Sequence, residues 1–243
     1  MTSSAPIFLF TDFGLGGPYV GQMNAAILTV SPDSPVIGLM HDAPAMRPDL
    51  AAYLLPACCR ALPRGSIVVA VVDPGVGGER AALQVESDGL TFVGPDNGLL
   101  SRLPRIATVA RIDWRPQALS ASFHGRDLFA PAAARLAAGM PLPASPLRPI
   151  EMHGADWPAQ AERVVYVDGY GNCMTGIVAE NVGRDRRLRI SGRVIGHAET
   201  FCRVPARGLF WYGNSQGLVE IAANGASAAH LLSLAPGSKI LLD

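Results

Sequence analysis

Residues 67–80 read IVVAVVDPGVGGER, a six-residue apolar run that breaks without transition into an aspartate, a proline and three glycines. An unbroken, mostly β-branched run bounded by turn residues is the pattern of a strand covered on both faces, as in a parallel sheet. The same grammar holds upstream. Ile7–Phe10 reads as a short apolar strand that runs into Thr11-Asp12-Phe13-Gly14. A helical pattern follows from Tyr19 to about Val30, with Val20, Met23, Ala26 and Ile27 on one face. Val36–Met40 reads as a second strand, and Leu50–Leu62 as a helix stopped by Pro63 and Gly65. Strand and helix in alternation predict an α/β domain with a largely parallel central sheet.

Downstream, Leu83–Glu86 and Leu90–Val93 flank Ser87-Asp88-Gly89, which is hairpin chemistry. Phe129–Ala138 reads as an alanine-rich helix. Prolines at 141, 143, 146 and 149 then predict a stiff connector without regular structure, and the domain boundary is expected there. The expected division is an α/β domain over residues 1–145, a linker over 146–160 and a smaller domain over 161–243. In that last part Val164–Val167, Leu188–Ile190, Val194–Ile195, Leu209–Tyr212, Leu218–Ile221 and Lys239–Leu242 read as short strands between turns. The only helical pattern there is Ser227–Leu232. The expectation is an all-β, barrel- or sandwich-like domain.

Composition narrows the function classes. At 243 residues, 49% hydrophobic and 16% charged, the chain can bury a core and does not read as disordered. Its formal net charge is zero, so no basic field draws nucleic acid or an anionic membrane. The N-terminal stretch MTSSAPIFLFTDFG has no basic leader segment, and its apolar run is too short for a signal peptide or a span. Of the four cysteines, Cys58 and Cys59 are neighbours that cannot easily bridge, and no pair has metal-ligand spacing. Free buried thiols in a reducing compartment are expected, hence a cytoplasmic protein. His41, His153, His197 and His230 also lack ligand spacing, so no metal site is expected.

Several polar clusters lie just after strands, where binding and catalytic groups of α/β proteins gather. Asp12 can accept hydrogen bonds from a ribose diol or cap a turn. The Asp73–Arg80 loop can turn main-chain N–H groups to a ligand, or Asp73 and Arg80 can form a structural ion pair across it. It is not a P-loop, since the lysine followed by Ser or Thr is missing. Phe123-His124-Gly125-Arg126-Asp127 sets an imidazole beside a glycine and two opposite charges. Gly94-Pro95-Asp96-Asn97-Gly98 reads as a turn. Asp168-Gly169-Tyr170-Gly171-Asn172 and Gly213-Asn214-Ser215-Gln216-Gly217 each follow a strand. No G-x-S-x-G nucleophile elbow occurs.

Taken in order, FTDFGLGGPYVGQMNAAIL, VVDPGVGGER, GPDNGLL, FHGRDLFAPAAA, VDGYGNCMTGI and GNSQGLVEIAANGASAAHLL span nearly the whole chain. They resemble the S-adenosylmethionine hydrolases, or hydroxide adenosyltransferases, relatives of the halogenating fluorinase and chlorinase. The resemblance implies an α/β domain followed by a β domain. It also implies a homotrimer whose active sites lie between neighbouring subunits, and conversion of S-adenosylmethionine and water to adenosine and L-methionine without a cofactor. The family's water-activating set falls on Asp73, Arg80 and His124. The resemblance further implies that Asp12, with Phe13 beside it, meets the ribose and that Asp168 meets the methionine amino group. Asn172 falls on an adenine contact, Tyr170 on an aromatic that stacks on the base, and Ser215, with Asn214 beside it, on a contact to the methionine carboxylate. Two positions depart from the halogenase: Gln216 replaces an arginine and Met46 a tryptophan. The alternatives are a halogenase that uses chloride and a non-catalytic protein that binds S-adenosylmethionine or adenosine.

Overall fold

The computed structural model describes residues 4–243; the first three residues of the N-terminal stretch discussed above lie outside the described part. Contact density divides the chain into two units, one ending at Trp157 and the other Pro158–Asp243.

The first unit is built on a seven-stranded mixed sheet. Its elements are β1 (Ile7–Thr11), α1 (Tyr19–Val30), β2 (Val36–Met40), α2 (Pro48–Cys59), β3 (Ile67–Val71), β4 (Ala82–Ser87), β5 (Leu90–Pro95), β6 (Ile106–Ile112), α3 (Ala130–Ala137) and β7 (Ala144–Pro146). The order across the sheet is β2-β1-β3-β5-β4-β6-β7. The first four strands in that order pair in parallel and the rest antiparallel. β1 and β3 are buried at every position, as expected of strands covered on both faces. Ile7, Leu9, Ile67, Val69 and Val71 share one core cluster with Met23 and Ile27 of α1 and the alanines of α3. The right-handed crossover rule places α2 on the opposite face.

Three expectations are corrected here. The second helix begins earlier, at Pro48, where proline suits a first turn, and it ends at Cys59. The proline-rich stretch does hold regular structure: Ala144–Pro146 pairs with β6 at the sheet edge, one of the few places in a sheet where a proline's missing N–H is tolerated. The thiols are all free, but only Cys59 and Cys173 are buried; Cys58 is half-buried and Cys202 exposed. Beyond β7 the chain stays with the first unit. Arg102 donates to the carbonyls of Gly154 (3.1 Å), Ala155 (3.0 Å) and Trp157, and His153 N donates to Asp96 Oδ1 at 2.8 Å.

The second unit is all-β apart from one short helix. Its elements are β8 (Ala161–Val167), β9 (Cys173–Val178), β10 (Leu188–Ile190), β11 (Arg193–Ile195), β12 (Leu209–Gly213), β13 (Leu218–Ala223), α4 (Ala228–Leu232) and β14 (Leu241–Leu242). Four strands form one antiparallel sheet, β12-β13-β9-β8, and three form another, β11-β10-β14. Val164, Ile177, Ile190, Trp211, Val219 and Ile221 fill the core of this unit.

Candidate active site

The sheet order turns at β1: β2 lies on one side of it and β3 on the other. Ligands of open α/β sheets bind beyond the carboxyl ends of strands at such a switch point. The register pairs Thr11 with Val71, so Asp12 and the Val72-Asp73 step leave the sheet side by side.

Asp12 is anchored by the main chain opposite. Met46 N donates to its Oδ2 at 2.9 Å, with Met46 at φ 58° and 72% exposed. Here Met46 acts through its backbone. The loop is pinned further by Gly14 N to His41 O (2.6 Å), Ala43 N to Thr11 O (3.1 Å) and a 2.9 Å contact between Thr11 Oγ1 and His41 Nδ1. Burial raises the Asp12 carboxyl above its ordinary range; the Met46 hydrogen bond opposes this and the charge of Asp73 adds to it. Phe13 packs against Tyr19 and Phe123, with each pair of ring centroids 5.8 Å apart.

Asp73, Arg80 and His124 form one connected chain. Arg80 Nε donates to both Asp73 oxygens, at 3.0 and 2.9 Å, and Nη2 donates to Oδ2 as well. The same Nη2 donates to His124 Nδ1 at 3.0 Å. Both sides of the pair are buried, the Asp73 side chain 3% and Arg80 11% exposed. The guanidinium also lies over the Phe129 ring, 5.0 Å from its centroid. The loop can fold this way because Gly77 takes φ +81° and lies so close to the Ala121 carbonyl oxygen that a Cβ would overlap it. His124 immediately precedes a π-helical turn, Gly125–Phe129, that leads into α3. Such turns are frequent at functional sites.

The chain fixes the tautomer of His124. A guanidinium has only donors, so Nδ1 must accept, and the neutral ring carries its proton on Nε2. Burial, and then the neighbouring Arg80 charge, hold the imidazole pKa below its ordinary value, which keeps the ring neutral. His124 therefore offers a donor at Nε2 and not a lone pair. Among the described residues no group of three His, Cys, Asp or Glu side chains is arranged to hold a metal ion.

The other five expected contacts gather on one cavity of about 770 Å³ in the second unit, lined by Asp168, Tyr170, Asn172, Asn214 and Ser215 among others. Asp168 Oδ1 accepts from Tyr170 N (2.9 Å) and Asn172 N (2.8 Å), and its Oδ2 from Asn172 Nδ2 (2.9 Å). That orients the Asn172 amide, since a carboxylate can only accept: its Oδ1 is left as an acceptor. Tyr170 is 84% exposed at the cavity wall. Asn214 is mostly engaged within its own turn. Its Oδ1 accepts from Gln216 N and Leu218 N, each at 3.0 Å, and its Nδ2 donates to Glu220 Oε2 at 2.8 Å.

Glu220 is a cavity residue that sequence reading passed over. It is 3% exposed, and its Oε1 accepts from the Tyr212 hydroxyl at 2.5 Å. Burial and then Glu220 hold that phenol well above its ordinary pKa. Glu220 sits inside a hydrophobic strand, and a carboxylate amid apolar residues was the only available signal. The lining of this cavity has two carboxylates and no Lys, Arg or His, which suits a ligand rich in donors or carrying positive charge. The oxygen of Gln216, on the same lining, is buried without a hydrogen-bond partner.

Comparison with known proteins agrees with this architecture. Residues 7–145 match the SAM hydroxide adenosyltransferase N-terminal domain and residues 162–241 the corresponding C-terminal domain. The chain is 35% identical to the (R)-S-adenosyl-L-methionine hydrolase of Salinispora arenicola, covering 99% of this chain and 98% of that one. It is also 35% identical to the protein of that name from Thermus thermophilus, covering 98% and 99%. The structure resembles an uncharacterized conserved protein from Thermotoga maritima, with TM-score 0.86, 29% identity and coverage of 97% and 99%. Matched in both halves and along nearly its full length, the chain belongs to the SAM hydroxide adenosyltransferase family.

Proposed function

We propose that this protein hydrolyses S-adenosyl-L-methionine to adenosine and L-methionine, and that its substrate is the (R)-sulfonium epimer named for its relatives. The observation that carries the reading is the buried Asp73–Arg80–His124 chain beyond the switch point of the sheet. Hydroxide attacks C5′ of the ribose in line with the C5′–S bond. The C–O bond forms as the C–S pair returns to sulfur, and the water's other proton goes to solvent. The sulfonium leaves as a neutral thioether, so no acid and no cofactor is needed.

The protein's task is to favour hydroxide and place it. Arg80 supplies a fixed cation beside it, His124 Nε2–H supplies a donor, and Asp73 holds the guanidinium in plane. His124 thus acts as a hydroxide-binding donor and not as the base. Asp12 with Phe13 meets the ribose. Asp168, Tyr170, Asn172, Asn214 and Ser215 receive the adenine and methionine parts. The two sets complete one another across subunits of a homotrimer in the cytoplasm; the four free thiols are consistent with a reducing compartment, and no helix among the described residues is long and apolar enough to cross a membrane.

Incubation with each sulfonium epimer, followed by chromatography, tests the activity. Adenosine and methionine in equal amounts, with the (R) form consumed, are expected. A 5′-chloro-5′-deoxyadenosine peak in high chloride, or saturable binding with no adenosine released, would overturn it. Light scattering tests the trimer, and a monomeric mass would remove it.

A further inference from the structure

Asn97 lies in the turn after β5, and its local sequence pattern reads only as that turn. The structure gives it other work. Parallel pairing of β3 with β5 runs from Ile67 opposite Thr91 to Val69 opposite Val93 and goes no further. The chain then needs another partner for the carbonyl of Val72, at the step that delivers Asp73. Asn97 Nδ2 supplies it, donating to Val72 O at 2.9 Å and reaching Asp73 Oδ1 at 3.4 Å, while its own Oδ1 accepts from Leu99 N at 3.2 Å. The amide orientation is settled by chemistry, since a carbonyl and a carboxylate only accept and a backbone N–H only donates.

The turn that carries Asn97 is itself held. Asp96 N donates to Ala81 O at 3.0 Å, next to the Arg80 end of the catalytic loop, and Asp96 Oδ1 accepts from His153 N at 2.8 Å. Gly98, at φ +95°, packs directly on the Trp157 ring. The amide of Asn97 therefore belongs to a rigid support that touches both the backbone and the carboxylate of Asp73.

From this geometry, and resting on the hydrolase reading above, we infer that Asn97 is a positioning residue for the reaction. It fixes the Asp73 carboxylate, which fixes Arg80, which fixes the tautomer of His124. Without its amide, Val72 O and Asp73 Oδ1 lose the contacts that set the angle of the carboxylate, the Asp73–Arg80 pair can shift as a unit, and the donor to Nδ1 of His124 loses its alignment. The ring then divides between two tautomers, and only one of them offers Nε2–H to hydroxide.

Three variants test this: Asn97→Ala, Asn97→Ser and the near-isosteric Asn97→Asp. In Asn97→Ala, kcat is expected to fall about tenfold or more, on the scale of a lost hydrogen bond to a charged group, with KM within about twofold of the unaltered protein. The acid limb of the kcat–pH profile should move upward as Arg80 withdraws from His124. Asn97→Ser, which keeps one donor for Val72, should recover part of the loss; Asn97→Asp, which turns an acceptor toward two acceptors, should recover none. A readout that needs no turnover is the imidazole nitrogen spectrum of ¹⁵N-histidine protein: a single Nε2–H tautomer for His124 in the unaltered chain, and a mixture in Asn97→Ala. Folded variants with unchanged kcat and an unchanged His124 spectrum would overturn the inference. So would loss of folding in all three, which would assign Asn97 to the fold alone. If the unaltered protein releases no adenosine, the hydrolase reading fails, and the nitrogen spectra still decide whether Asn97 sets the tautomer.

Discussion

The two candidate clusters, one in each unit, are built on opposite plans. In the Asp73–Arg80–His124 cluster of the α/β unit, charge is paired: the Asp73 carboxylate is engaged by Arg80 and Asn97, and Arg80 donates to both Asp73 and His124. In the β unit, Asp168 and Glu220 are held only by neutral donors, and no cation lines their cavity. A paired set of charges is rigid and preorganised, which suits stabilising a reacting oxyanion. A carboxylate met only by neutral groups keeps most of its attraction for an incoming cation, which suits binding a substrate with an ammonium and a sulfonium. On the proposed function, this difference predicts effects on rate from the Asp73–Arg80–His124 cluster and effects on affinity from the cavity of the β unit.

The largest effect that can break this division is expected in the Asp73–Arg80–His124 cluster. Asp73→Ala and His124→Ala should each lower kcat by at least ~10²-fold, the lower end for losing a preorganised donor to a reacting oxyanion, while KM stays nearly constant. A variant whose KM rises tenfold with kcat intact would reverse the assignment. Next in size, Asp168→Ala should raise KM on the order of tenfold or more, because truncation removes the carboxylate and frees the Tyr170–Asn172 loop it pins. A large fall in kcat at unchanged KM would count against the division.

The pH profile sharpens the comparison further. Burial and Arg80 hold His124 in the folded protein below its unfolded value. Stability from this group is therefore fully present above the ordinary histidine range and is lost as pH falls through the lower folded value, since the unfolded chain then binds more protons. The hydrolytic rate should share this acid limb, because a proton on Nδ1 meets the Arg80 guanidinium head-on. Activity that rises on acidification through that range would contradict the donor role of His124. The smallest effect is expected from Glu220→Gln. It keeps the shape and neutralises one wall of the cavity, so KM for S-adenosylmethionine should rise only about two- to fivefold, on the scale of ~0.5–1 kcal/mol. Competitive inhibition by neutral adenosine should hardly change. Equal losses for both ligands would show that Glu220 maintains the pocket's shape without reading its charge.

Much of this was legible along the chain. The buried run at 67–72 and the strand–helix alternation before it announced the parallel half of the sheet, because a strand covered on both faces has no polar side to show. The Asp88-Gly89 hairpin was legible for a local reason: residues that tolerate positive φ sit where the turn requires it, at 52° and 77°. Less legible were β6, whose mixed burial gives no clean period, and β9, whose glycine and cysteine hide a central strand. The short strand at Ala144–Pro146 was masked by Pro146 and the prolines around it; Pro146 is tolerated because the strand lies at an edge.

For the site, the sequence by itself determined the inventory: which carboxylates, which imidazole and which amides follow strands, and in what order. It also determined the family, since ordered motifs along a chain need no coordinates to be compared. What only the tertiary structure decided is how those groups are wired. Asp73 and Arg80 read equally well as a structural ion pair or a ligand-binding loop. Folding showed them to be an ion pair that also commits the second guanidinium nitrogen to His124 and so selects its tautomer. Asn97 read as a turn residue, yet its amide meets Val72 O and Asp73, and Glu220 of β13 is joined to the cavity by pairing with Tyr212 of β12. Hydrogen bonds are made at about 3 Å between residues tens of positions apart. Only the packed sheet, which sets strand ends side by side, brings such groups within that reach.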